Sequence, residues 1–314
     1  MSNRIPYLDT AKAICIFLMV VGHWTSNNYL LLYIYSFHMP ALFVISGFLY
    51  KPRIWYKTML SFGIPVVVYS LINLLFLITI GEIPFNQLLS RDILYRFLHY
   101  RYGLGVGLFM GDWFLWALLG LRFFYGDIRF LSAFRNCYIP IALLIILYMS
   151  LESYLVQIDS IFHGWYIGRM IPSLPFFCIG FLLKDKKWKI SQISMFYLSI
   201  LGLLFFILPI INGKCSINSN AYGLSYTLFF INASISTVFI LAISSHIPPV
   251  KFITTIAKGT LLILGMHMPI MNALNMILPA NLHEYIPFLI LPICYYPILW
   301  LDKRCPILLG RIKK

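Results

Sequence analysis

Long apolar runs recur from one end of this chain to the other, and they constrain its fold more than any other feature. Of the 314 residues, 61% are hydrophobic and 11% are charged, and the mean hydropathy is +0.84. A helix needs about 20 apolar residues to cross a bilayer, and the runs lack the alternation of barrel strands. The sequence therefore predicts an all-α polytopic integral membrane protein with about ten transmembrane helices and no soluble domain. The predicted spans, within one transmembrane domain covering 1–314, lie at 8–26, 33–50, 57–80, 107–125, 136–152, 168–183, 191–211, 222–245, 259–279 and 286–301.

Positive charge is distributed asymmetrically around these spans. The formal net charge of +14 could suit a nucleic-acid-binding protein, but the basic residues follow the membrane topology instead. If both termini are cytoplasmic, 19 of the 24 basic residues lie inside, and the outer side holds Arg91, Arg96, Arg101, Arg169 and Lys214. Such a bias is the positive-inside rule. It predicts cytoplasmic termini, no nucleic-acid partner, and an inner face that attracts anions.

The first apolar run begins with charged residues and ends at a histidine. Asp9 and Lys12 stand at its start and no small-residue cleavage site follows, so we expect the run to be retained. On a helix, His23 lies within about 20° of the direction of Lys12 and about 16 Å further along, and Asp9 lies within roughly 60° of both. Ionisable groups inside a span suggest a functional site, although a single histidine can also be a packing residue. We predict that Lys12 and His23 face one cavity at two depths, with Asp9 paired to Lys12 or Arg4.

A proline motif in the second span supplies another histidine. The sequence Ser-Phe-His-Met-Pro occupies 36–40, and proline disfavours a helical residue before it while suiting the first turn of a helix. We therefore predict a broken span with His38 at a helix N-terminus, lining a cavity or buried in protein. The alternative is a kink packed against Trp24 or Phe43. The Ser-Gly pair at 46–47 predicts a notch for close helix packing.

Four residues in later spans are candidates for substrate binding. Asp112 could orient a histidine or bind a sugar hydroxyl, and Trp113 beside it is typical of a membrane interface. Arg169 enters an apolar run, and His267 precedes a helix-perturbing proline, where it either packs or lines a cavity. The charged and aromatic segment at 81–106 is either an interfacial anchor or a site for an anionic or sugar acceptor.

The sequence has no metal-binding or phosphate-loop motif. Its six cysteines form no C-x-x-C pair and mostly lie inside predicted spans, where small buried residues are expected. It has no spacing of histidine, cysteine and carboxylate typical of a metal site, and no glycine-rich phosphate loop. We therefore expect no metal cofactor.

Together these motifs resemble acyltransferase family 3, membrane proteins that transfer acyl groups, mostly acetyl, to sugar hydroxyls. The resemblance rests on Leu-Asp-x-x-Lys at 8–12, Gly-His at 22–23, Phe-His-Met-Pro-x-x-Phe-x-x-Ser-Gly at 37–47, Trp-Phe-Leu at 113–115, and the motifs at 169–180 and 259–267. The commonest family pattern has arginine where this chain has Lys12, and the lysine form resembles the fucose O-acetylase-like branch. Lysine keeps the charge but lacks the bidentate fork of arginine.

The resemblance implies a donor and a path for it. Family members use cytoplasmic acetyl-CoA and typically modify envelope polysaccharide, which implies a bacterial cytoplasmic membrane. Lys12 would contact the phosphates of CoA, with Arg4, Lys51 and Arg53 nearby. The pantetheine arm would then run along the helix towards His23.

The resemblance also suggests roles for the two histidines. His23 would act as general base on the acceptor hydroxyl or carry the acyl group itself, and His38 would stabilise the oxyanion or complete the acid/base pair. The implied partners are acetyl-CoA, a polysaccharide or lipid-linked sugar, and membrane lipid, while a homo-oligomer is left open. A transporter or flippase of a lipid-linked sugar is the alternative, although no inverted repeat is evident. A structural membrane subunit is a third hypothesis, which leaves Asp9, Lys12 and His23 unexplained.

Overall fold

The computed structural model describes residues 4–87, 112–129, 131–155, 167–185 and 190–312, which are 82% helical. The helices are α1 (Pro6–Gly22), α2 (Asn28–Phe48), α3 (Trp55–Thr79), α4 (Asp112–Arg122), α5 (Tyr138–Leu155), α6 (Ile167–Asp185), α7 (Met195–Asn212), α8 (Tyr226–His246), α9 (Lys251–Lys258), α10 (Thr260–Ile277) and α11 (Ile286–Arg304). Two short strands, β1 (Cys215–Ser216) and β2 (Ala221–Tyr222), pair as an antiparallel ribbon. Six of the described helices are long and apolar enough to cross a membrane, namely α2, α3, α7, α8, α10 and α11 with its preceding turn. The predicted all-α polytopic membrane fold is confirmed.

Each of the ten predicted spans overlaps one of these helices. The amphipathic helix α9 was not predicted, because the lysines at its two ends interrupt the apolar pattern. The predicted span at 107–125 is described only from Asp112 onwards, where α4 begins, and α4 continues as a π-turn at Phe123–Asp127. Most of the segment at 81–106, predicted to be an interfacial anchor or an acceptor site, lies outside the described residues.

The predicted break in the second span is wrong. α2 begins after Asn27, whose side chain accepts a hydrogen bond from Leu30 N (3.1 Å), and it continues through Pro40 to Phe48. Proline removes a single helical hydrogen bond, and surrounding protein can accommodate that loss in a membrane helix. Residues 36–45 of α2 are all buried. His38 therefore lies inside a continuous, enclosed helix and not at a helix N-terminus.

Two glycines allow α2 and α6 to pack backbone against backbone. A Cβ atom on Gly47 would lie 2.0 Å from the carbonyl oxygen of Phe177, and one on Gly180 would lie 1.8 Å from that of Val44. No side chain fits at either position without moving the helices apart. The packing notch predicted at 46–47 is therefore confirmed, and the structure adds its counterpart on α6.

We expect Gly180→Ala to destabilise the protein by about 1–3 kcal/mol, the usual range for overpacking a close contact. The matched control is Gly63→Ala in α3, where an added Cβ meets nothing within 4 Å. The control should be neutral or stabilising by up to about 1 kcal/mol, because alanine favours helix more than glycine does. Thermal unfolding of the purified variants, followed by size-exclusion chromatography with fluorescence detection, measures both effects. Equal melting temperatures for the two variants would contradict this description of the interface.

Helix α1 occupies the centre of the bundle and positions the candidate site. It contacts α2, α8, α9, α10 and α11. The β-ribbon follows α7 and is tied to its end, because Leu224 N donates to the Asn212 carbonyl oxygen (2.9 Å) and Asn212 Nδ2 donates to the Tyr222 carbonyl oxygen (3.0 Å). The ribbon lies at the His23 end of α1, because Cys215 and Ser216 line the same cavity as His23.

Candidate active site

Two cavities lie along α1, one at each end. The first, here called the basic cavity, has a volume of about 830 Å³. Among the described residues, seven basic side chains and two carboxylates line it, a formal balance of +5. They are Arg4, Lys12, Lys51, Arg53, Arg122, Lys258 and Arg311, with Asp9 and Asp302. Such a balance favours an anionic ligand.

Ion pairs neutralise part of the positive charge of the basic cavity. Arg4 Nε lies 3.2 Å from Asp9 Oδ2, which resolves the alternatives for Asp9 in favour of Arg4. Asp302 pairs with both Lys258 (2.9 Å) and Arg311. Within the described part of the chain, the side chain of Lys12 makes no ion pair. Its ammonium group is therefore available for a ligand.

A buried carboxylate fixes the loop between α2 and α3. Asp127 accepts hydrogen bonds from Tyr50 Oη (2.9 Å), Thr58 Oγ1 (2.7 Å) and Arg53 N (3.3 Å), and it pairs with Arg122 Nε (3.2 Å). A carboxylate that accepts this many bonds is well compensated for its burial. The π-turn that carries Asp127 is a type of irregularity often found at functional sites. The sequence interpretation missed this residue, and the glycine before it was its only local sign.

This network also orients the cations of the basic cavity. Arg122 Nη2 donates to the Lys51 carbonyl oxygen (3.1 Å), and its guanidinium lies 5.0 Å from the centre of the Tyr50 ring. The main chain at 51–53 is therefore held from both sides. Within the described residues, the charged ends of Lys51 and Arg53 form no ion pair, so with Lys12 they make three cations without a carboxylate partner.

The second cavity, here called the histidine cavity, has a volume of about 350 Å³. Polar groups and aromatic rings line it, together with a few aliphatic side chains. The lining residues are Met19, Gly22, His23, Leu31, Tyr35, His38, Met39, Trp113, Lys214, Cys215, Ser216, Ile217, Asn218, Ser219 and Leu264. No carboxylate appears among these described lining residues.

His23 is joined to a second histidine that is distant in sequence. His23 Nδ1 lies 2.9 Å from His267 Nε2, and the two rings stack at 4.9 Å. His267 Nδ1 lies 2.9 Å from the carbonyl oxygens of both Ile263 and Leu264. A carbonyl oxygen only accepts, so His267 Nδ1 carries the proton and its Nε2 is the acceptor. The hydrogen-bond pattern therefore places a proton on His23 Nδ1 and leaves His23 Nε2 with a free lone pair.

A hydrogen bond from α3 supports the turn of α10 that carries His267. Pro269 has no N–H, so the carbonyl of Gly265 lacks its helical donor, and Asn73 Nδ2 supplies one at 3.1 Å. His267 is fully buried and stands behind His23, outside the lining of the histidine cavity. It was predicted to bind substrate, and its contact with His23 instead favours a positioning role.

His38 presents the same tautomer by a different contact. Its Nδ1 lies 2.6 Å from the Ile34 carbonyl oxygen, so Nδ1 donates and Nε2 is left as an acceptor. A neutral imidazole in this tautomer cannot donate from Nε2 to an oxyanion. Of the two roles predicted for His38, the geometry favours the acid/base pair.

The other predicted site residues fall around the histidine cavity. Trp113 lines it and packs against Phe43, while Arg169 is buried and donates from Nε to the Asn218 carbonyl oxygen (3.2 Å), so it braces a wall of the cavity. Burial raises the pKa of the Cys215 thiol to about 12, which argues against a thiolate nucleophile there. The side chain of Asp112 lies outside the described part of the structure.

The prediction of one shared cavity for Lys12 and His23 is wrong. The two side chains share a face of α1, as the helical spacing required, but Lys12 lines the basic cavity and His23 lines the histidine cavity. The helical spacing of α1 fixed the common direction, whereas the separation into two cavities depends on side chains from several helices.

Comparison with known proteins gives one match. The family model described as "Acyltransferase domain" matches residues 5–301, which include all the lining residues of the histidine cavity and most of those of the basic cavity. No curated protein and no solved structure matches the chain.

Proposed function

The chain belongs to acyltransferase family 3 and is a membrane acyltransferase, and we propose that it transfers an acetyl group from cytoplasmic acetyl-CoA to a hydroxyl of a cell-envelope polysaccharide or lipid-linked sugar. The proposal rests on the different chemical groups that stand at the two ends of α1. Cations without carboxylate partners stand at one end of this helix, and a histidine with a free Nε2 stands at the other.

The basic cavity suits the donor. The phosphates of CoA are multiply charged, and Lys12, Lys51 and Arg53 offer charge-assisted hydrogen bonds that no carboxylate in the described residues competes for. Beyond these charged groups the cavity is lined by apolar residues such as Ile16 and Leu42, which suits the pantetheine arm. The donor would therefore enter at the Arg4 end of α1, the end that the positive-inside rule assigns to the cytoplasm.

The histidine cavity suits the chemistry. His23 Nε2 accepts the proton of the acceptor hydroxyl as its oxygen attacks the thioester carbonyl carbon. The new oxygen–carbon bond replaces the carbon–sulfur bond, and the proton passes from His23 to the departing CoA sulfur. His267 holds the imidazole in the reactive tautomer, and His38 Nε2 offers a second acceptor for a neighbouring hydroxyl of the sugar.

The acceptor is proposed from the lining of the same cavity. The rings of Trp113 and Tyr35 offer flat apolar surfaces, and the ribbon loop offers the polar side chains of Ser216, Asn218 and Ser219. Saccharides present both apolar faces and hydroxyl groups, so this mixture supports a sugar acceptor. Assignment to the fucose O-acetylase-like branch rests on Lys12 alone and stays a prediction.

Release of free CoA tests the proposed function. Purified protein in lipid nanodiscs would be incubated with acetyl-CoA, with water or an added sugar as acceptor, and the new thiol followed with a thiol-reactive dye. We expect thiol release that depends on His23. A transporter or flippase would release none, and that result would overturn the proposal.

Lys12→Ala should raise the KM for acetyl-CoA and leave kcat nearly unchanged, because a phosphate contact binds ground state and transition state equally. Loss of one hydrogen bond to a charged group costs about 1.5–3 kcal/mol, or roughly 10–100-fold in KM. Lys12→Arg should retain most of the affinity. The matched control is Lys251→Ala, an exposed lysine that lines neither cavity. Equal KM values for Lys12→Ala and the wild type would exclude Lys12 from the donor site.

A further inference from the structure

One residue lies between the two cavities. Leu264 in α10 lines both the basic cavity and the histidine cavity, and its side chain is 4% exposed. No other residue in the described part of the structure is common to both linings. The cavities therefore approach each other most closely at this side chain.

On two neighbouring helices, a thin apolar layer separates the residues that line one cavity from those that line the other. On α1, Ile16 lines the basic cavity and Met19, three residues on, lines the histidine cavity; on α2, Leu42 and Met39 divide in the same way. Three residues of helix correspond to a rise of about 4.5 Å, so on both helices the two linings lie less than one helical turn apart. All four side chains and that of Leu264 are apolar.

A thioester held by its phosphates in the basic cavity has to pass this layer to meet His23. Methionine side chains adapt their shape readily, whereas Leu264 is branched and occupies the point where the linings join. Its carbonyl oxygen also accepts a hydrogen bond from His267 Nδ1 (2.9 Å), so its backbone is tied to the histidine pair. Changing its side chain therefore alters the passage while leaving that hydrogen bond available.

We propose that Leu264 is the specificity-determining residue for the acyl group, admitting acetyl to His23 and excluding longer chains. The inference rests on the proposed function, because it requires an acyl-CoA donor in the basic cavity. The wall supplied by Leu264 limits how many carbons beyond the carbonyl can pass or be held in the reactive position. A smaller side chain should admit longer acyl groups, and a larger one should obstruct acetyl itself.

Acyl-chain preference tests this assignment. The values of kcat/KM for acetyl-, propionyl- and butyryl-CoA would be measured by thiol release for the wild type, Leu264→Ala and Leu264→Phe. Each methylene in an apolar pocket discriminates by about 10–200-fold, so Leu264→Ala should raise the butyryl-to-acetyl ratio at least about 10-fold. Leu264→Phe should lower acetyl transfer about 10-fold or more. The control is Leu262→Ala, a buried position two residues away that lines neither cavity, where the ratio should not change.

The outcomes separate the two proposals. A wild type that releases thiol while Leu264→Ala keeps the wild-type ratio would overturn the role of Leu264 and leave the proposed function standing. A wild type that releases no thiol from any of the three donors would overturn both. If Leu264→Ala fails to fold, as judged by size-exclusion chromatography, Leu264→Phe carries the test, and unchanged acetyl transfer by that variant would overturn the inference.

Discussion

Replacing His23 with alanine is expected to reduce acetyl transfer by about 10²–10⁴-fold, the range that a positioned general base contributes. The variant removes Nε2, the one nitrogen of the stacked pair that the hydrogen-bond pattern leaves with a free lone pair. Loss should appear in kcat, because His23 takes part in the chemical step and does not line the basic cavity that would hold the donor phosphates. Thiol release from acetyl-CoA by the purified variant in nanodiscs measures the effect.

The control for this variant is His246→Ala. His246 is an exposed histidine at the end of α8 and lines neither cavity, so its variant should transfer acetyl at the wild-type rate. Both variants should elute as folded protein. Normal transfer by His23→Ala would remove His23 from the chemistry and direct attention to His38.

The second large effect is expected at His267. His267→Phe preserves an apolar ring but removes the acceptor of the His23 Nδ1 proton, so His23 is free to rotate or to take the other tautomer. We expect kcat to fall about 100-fold with the KM for acetyl-CoA unchanged, since correct protonation at the reacting nitrogen is lost. Steady-state thiol release against acetyl-CoA concentration separates the two parameters.

A conservative variant distinguishes positioning from simple packing. His267→Gln retains an oxygen that can accept from His23 Nδ1, so it should recover a substantial part of the activity lost in His267→Phe. Combining His267→Phe with His23→Ala should cost little more than His23→Ala alone, because residues that act as a unit are not additive. Equal loss in both His267 variants, or a fully additive double variant, would argue that His267 only packs.

Local sequence patterns were sufficient to predict ten of the helices and the common face of Lys12 and His23 on α1. Apolar runs of spanning length located ten of the described helices, and helical spacing put Lys12 and His23 in one direction. A glycine in a small-residue pair correctly predicted close packing at Gly47. These properties depend on residues within a few turns of one another, which is why the sequence could predict them.

Long-range contacts account for what the sequence did not predict. His23 and His267 are 244 residues apart, and only the packing of α1 against α10 brings their rings together. Asp127 gains its role from partners on the loop between α2 and α3, and Arg169 gains its role from the ribbon. Pro40 led to the wrong prediction of a broken helix. Burial of α2 among other helices keeps the two halves of α2 continuous.

The boundary between the two cavities is the clearest example of a feature that depends on long-range contacts. Ile16, Met39 and Leu264 each fit an ordinary apolar helix, and nothing in their local sequence marks them. Ile16 lines the donor side, Met39 lines the reaction side and Leu264 lines both, so these residues mark where a single expected cavity is divided. The first helix then connects two sites, with Lys12 at the donor end and His23 at the reaction end.

A cryo-electron-microscopy structure of the protein in nanodiscs with CoA bound tests the central claim most directly. We expect CoA phosphates within about 4 Å of Lys12, Lys51 or Arg53, the usual limit for an ion pair, and the CoA sulfur past Leu264 beside His23. Phosphates in the histidine cavity, or a sulfur atom that stays in the basic cavity away from His23, would contradict it.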